Sequence, residues 1–74
     1  MMSEQANEIQ KLVAIATDLG LSAELRVKAI KLLNSIGTHE ALRALLDLVA
    51  NEKLIREERE LALKQAGVII KLGY

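Results

Sequence analysis

Cysteine is absent, so no disulfide can staple this chain, and His39, the single histidine, has no thiol to share a structural zinc. Proline, Phe and Trp are absent too, and Tyr74 is the only aromatic residue. With no aromatic platform, stacking of single-stranded bases is disfavoured. Charge of one sign is missing as well: Lys plus Arg and Asp plus Glu number 10 each. No global field is left to hold a nucleic-acid backbone or an anionic membrane. No apolar run approaches the roughly 18 residues that cross a bilayer, because Asp47 interrupts the longest one. The opening MMSEQANEIQ has no basic residue ahead of its apolar part, the wrong order for a secretory or mitochondrial signal. Composition therefore points to a soluble intracellular protein, placed in the cytoplasm, with no cofactor, no metal and no membrane partner.

What is present is a helix-former's alphabet of Leu, Ala, Ile, Glu and Lys in 74 residues. That length allows one domain, spanning 1–74, near the lower limit at which a single core sustains itself. Well-packed helices, self-association or both must make up the deficit.

The punctuation predicts four helices. Ser3 can cap the first, which carries Ala6, Ile9, Leu12, Val13, Ala16 and Leu19 at three-four spacing and stops at Gly20. Ser22 caps the second, with Leu25, Ala29, Leu32, Leu33 and Ile36 on one stripe and Gly37 as terminator. Thr38 caps a third from about His39 to Ala50, with Asn51 as its stop. The fourth starts between Leu54 and Arg56 and runs to Leu72, closed by Gly73. Gly67 inside it costs about 1 kcal/mol relative to Ala, or marks a close helix approach.

The motif Lys11-Leu12-Val13-Ala14 recurs as Asp47-Leu48-Val49-Ala50, 36 residues on. The same shift superimposes Glu4 on Glu40, Glu24 on Glu60, Leu25 on Leu61, Lys28 on Lys64 and Gly37 on Gly73. It also matches Ile9 with Leu45, Leu32 with Val68 and Leu33 with Ile69. The chain thus reads as two units, about 3–37 and 39–73. In the second helix of each unit the polar residues narrow to one stripe: Glu24, Lys28, Lys31 and Ser35, then Glu60, Lys64, Gly67 and Lys71. A helix wetted along one stripe is covered on its other sides, so helices two and four are expected inside a stack and one and three outside.

Two antiparallel helices per unit at this period define the helical-solenoid class. Within it the chain resembles HEAT-like repeats of the phycobilisome-lyase type. The resemblance rests on Leu25-Arg26-Val27, Ala29, Leu33 and Ile36-Gly37, followed by Glu40-Ala41 and Leu45-Leu46, with Arg59, Ala62, Ala66 and Ile69 as second-unit counterparts. That second unit reaches its glycine three residues late and lacks the aspartate usual before the arginine. The resemblance implies an all-α fold of two helical hairpins stacked as a minimal HEAT-like α-α superhelix, or a bundle close to it. It also implies that Arg26 bridges neighbouring units. Tetratricopeptide repeats share the period but need aromatic and proline positions missing here.

Candidate chemistry is thin. His39 at a helix start has no second ligand at helical spacing, which favours a solvated residue over a base or ligand. The Glu57, Glu58 and Glu60 cluster interleaves with Arg56 and Arg59, and its four-residue spacings read as a salt-bridged, exposed helix face. No phosphate loop, nucleophile elbow or recognition helix is present, so no enzyme is expected. The leading expectation is protein–protein interaction by a small adaptor or scaffold, through the stripes Glu24, Lys28, Lys31 and Glu60, Lys64, Lys71 merged into one ridge. Two units have no polar caps, which predicts a homodimer through Val68, Ile70 and Leu72 of helix four. The alternatives are nucleic-acid-backbone binding by the concave lysines, and a purely structural assembly subunit.

Overall fold

The computed structural model describes the backbone of residues 2–73 and the side chains of residues 7–73. It contains four helices, α1 (Met2–Ala16), α2 (Ala23–Ile36), α3 (His39–Val49) and α4 (Arg56–Lys71), and no strand among the described residues. The helices form two antiparallel hairpins, α1 with α2 and α3 with α4, packed one on the other through α2 against α4, α2 against α3 and α1 against α3. Its radius of gyration of 11.3 Å is what a compact chain of this length should have, about 11 Å.

Local chemistry sets the boundaries. Ser22 takes an extended conformation, and its hydroxyl oxygen accepts from the Leu25 N–H at 3.3 Å. Thr38 does the same for Ala41 at 3.2 Å. Gly37, between these two helices, sits in the left-handed region at φ 68°, where a side chain would be strained, and donates its N–H to the Leu33 carbonyl.

Three boundaries depart from the expectation. α1 ends at Ala16, four residues before Gly20, and Gly20 has no positive φ. The Thr17 hydroxyl donates to the Val13 carbonyl at 2.8 Å, and the Asp18 carboxylate accepts from the Gly20 N–H at 2.9 Å. Such local side-chain bonds compete with the helix ladder and end it early. Asn51 is not a left-handed stop either: its side chain accepts from the Lys53 N–H at 2.9 Å and opens the turn that leads into α4. α1 starts at Met2, so Ser3 lies inside it rather than ahead of it. The Ser3 side chain, with those of Glu4 and Ala6, lies outside the described residues.

The core is built from Ile30, Leu33, Leu45, Leu48 and Ile69, all fully buried, with Ile9, Leu42 and Leu54 closing its edges. Ala16, Ala29, Ala41, Ala62 and Ala66 are buried among them. Small side chains at these positions let helix axes approach closely. Leu25 and Leu32, expected on the core stripe of the second helix, instead lie exposed, as does Leu46, while Arg26 and Ala44 take up buried positions. The buried set of α2 is centred on Ala29, Ile30 and Leu33, which turns Leu25 and Leu32 to its flank.

The division into inner and outer helices is also corrected. α3 packs against all three other helices and α4 against only two, so the middle of the stack is α2 with α3. In a two-layer stack the interior goes to the helices between two neighbours, whatever the width of their polar stripe. Gly67 has open space where a Cβ would stand, so it marks no close helix approach.

Candidate interaction faces

Arg26 and Glu58 meet between the hairpins. Ser22 starts α2 so that Arg26, four residues on, points across to α4, where Glu58 occupies the first turn. The Arg26 Nε donates to Glu58 Oε2 at 2.8 Å, with Arg26 8% and Glu58 2% exposed. Nη1 of the same guanidinium donates to the Leu21 carbonyl in the α1–α2 connection. One planar fork thus ties a loop, α2 and α4 together, which a lysine ammonium could not match in geometry. Arg26 therefore bridges the two hairpins. Glu58 overturns its expected place on an exposed face, because it falls on the inward register Glu58, Ala62, Ala66 and Ile69 of α4. That three-four spacing was visible in the sequence and was hidden by reading the glutamates as one cluster. Glu58 Oε1 has no hydrogen-bond partner among the described residues.

Arg59 uses its Nε to donate to the Val49 carbonyl at 2.8 Å, at the end of α3. Both arginines thus satisfy a backbone carbonyl that follows or ends the preceding helix, where cations are favoured. The glutamate ladder is realised at Arg56 and Glu60, 3.0 Å apart and well exposed.

The Asn34 Nδ2 donates to Gln65 Oε1 at 2.6 Å, joining the facing flanks of α2 and α4. On either side of that seam the predicted stripes lie in solvent: Glu24, Lys28 and Lys31 on α2, and Glu60, Lys64 and Lys71 on α4, all exposed. Glu60 is held by Arg56, which leaves the lysines to dominate the face.

Val68, Ile70 and Leu72 are exposed, Leu72 by 78%. Helical spacing separates them: Val68 and Leu72 lie four apart on the α2 side of α4, whereas Ile70 lies seven from Leu63 on the other flank. The three do not make one stripe.

Among the described residues, open grooves follow the helix pairs. One of about 410 Å³ runs between α1 and α2, with Leu12, Leu32 and Ile36 as its floor and Glu8 and Lys11 on its rim. A second, about 220 Å³, lies between α3 and α4 beside Val49 and Leu63. A third, about 380 Å³, lies along the α1–α3 seam. His39 is exposed at the first position of α3. Among the described residues no group of three or more His, Cys, Asp or Glu is placed to hold a metal ion, and no helix is long and apolar enough to cross a membrane. No protein-family model, no curated protein and no solved structure matches this chain.

Proposed function

We propose that this chain is a small cytoplasmic adaptor of HEAT-like type, binding an acidic segment of another protein across the α2–α4 face. The observation that carries the reading is the side-by-side packing of α2 and α4 with both polar stripes turned to solvent. Lys28, Lys31, Lys64 and Lys71 outnumber the acids there once Glu60 is paired with Arg56. A mixed face of this kind suits electrostatic steering and register rather than tight burial. The HEAT-like element of the reading is supported by the two-hairpin stack and by the parallel use of Arg26 and Arg59.

The test is capture from native lysate by the wild-type chain and by a variant with Lys28, Lys31, Lys64 and Lys71 replaced by Glu. A protein retained by the first and lost by the second supports the adaptor reading. Salt-dependent retention of DNA or RNA that the variant loses moves the function to backbone binding. Equal behaviour of both chains removes the lysine face from the function and leaves a structural subunit.

A further inference from the structure

Apolar residues 36 positions apart in the two hairpins differ in burial according to their place in the stack. In the second hairpin Leu48 is 1% exposed and Leu61 is half-buried, both packed into the common core. Thirty-six residues earlier, Leu12 and Leu25 occupy the same positions on the first hairpin. Leu12 is only half-buried, and Leu25 and Leu32 are exposed beside the 410 Å³ groove. The first hairpin meets the second with Val27 and Asn34, both half-buried on the α4 side of α2. Their counterparts are Leu63 and Ile70, about half-exposed at the far end of the stack. There the substitutions run toward apolar residues, Val to Leu and Asn to Ile, although the positions face solvent. Each rim carries both signs, Glu8 with Lys11 at one end and Arg56 with Glu60 at the other, so no single-sign repulsion opposes contact.

We infer that a second copy of this chain stacks head to tail on the first, its α1–α2 end face on the Leu63 and Ile70 face, in the order of the internal hairpins but through apolar contacts, with no counterpart of the Arg26–Glu58 pair. The proposal extends the interaction-module reading to self-assembly but rests on other residues, so the failure of either reading leaves the other standing. A head-to-tail contact does not close on itself, and assembly is therefore open-ended.

Sedimentation of the wild-type chain from micromolar to millimolar concentration, together with Leu32→Glu and Leu63→Glu, tests this. Both leucines are exposed, 52% and 55%, so both variants keep the helical circular dichroism of the wild type. The expected result is a wild-type mass that climbs past the dimer without a plateau, two variants that are each monomeric, and an equimolar mixture that forms a one-to-one dimer and nothing larger. In that mixture the intact Leu63 face of the first variant meets the intact Leu32 face of the second. The pair Leu25→Glu and Ile70→Glu repeats the test should either first variant lose its helicity. A wild-type chain that stays monomeric, a mass that stops at the dimer, a single variant that still dimerises, or a mixture that does not recombine overturns it.

Discussion

Leu12 and Leu48 stand at the same turn of the first helix in each hairpin, yet one is half-buried and the other is sealed. Val13 and Val49, beside them, are alike half-buried, and Ala14 and Ala50 are alike exposed. Identical residues at matching turns of α1 and α3 therefore differ in burial at Leu12 and Leu48 and agree at the two positions that follow. Burial in this molecule is set by position in the stack, with the hairpin as the unit. The contrast extends to polar groups: the Arg56 and Glu60 pair lies in water, whereas the Arg26 and Glu58 pair lies between hairpins. Distance and charge are similar in the two pairs, but only the second joins separate units.

The largest expected effect breaks that second pair. Arg26→Ala leaves Glu58 buried without its partner and should cost about 3–5 kcal/mol, measured by urea denaturation followed by helical circular dichroism. Much of the stability of a chain this short is then gone. Next comes the leucine contrast: Leu48→Ala should cost roughly 2–5 kcal/mol as a buried truncation, and Leu12→Ala clearly less, in the same denaturation. Equal costs would mean that the hairpins are not distinguished by their neighbours. Gly67→Ala should raise stability by up to about 1 kcal/mol, because a methyl group there meets nothing within 4 Å and the helix loses a flexible residue. Its thermal midpoint checks this. The smallest effect belongs to Glu60→Gln, which removes the exposed pair with Arg56 and should move the same midpoint by an amount matching at most about 0.5 kcal/mol.

Helix number, the two hairpins and the caps at Ser22, Thr38 and Gly37 were legible from residues alone, because each depends on local spacing and on one side chain or one backbone angle. The end of α1 was not, since Gly20 is the louder signal and the competing bonds of Thr17 and Asp18 surface only in three dimensions. Which helices lie in the middle was hidden for a related reason. A narrow polar stripe marks how one helix is wetted, while the place of α3 depends on what the other hairpin covers. The lysine stripes were read correctly as exposed. Glu58 was misplaced because its acidic neighbours suggested a surface ladder, although its spacing to Ala62, Ala66 and Ile69 pointed inward. Ile70 was grouped with Val68 and Leu72 as a self-association face, while Leu63, exposed on the same flank as Ile70, passed unremarked.

The central claim is that the two hairpins are locked together by the buried pair of Arg26 and Glu58. A double-mutant cycle with Arg26→Met, Glu58→Leu and the double replacement measures that lock directly. The account predicts that each single change costs about 3–5 kcal/mol and that the double change costs less than either, because no charge is left buried alone. Costs that simply add would contradict it, and would place Arg26 and Glu58 in water, on hairpins that do not meet there.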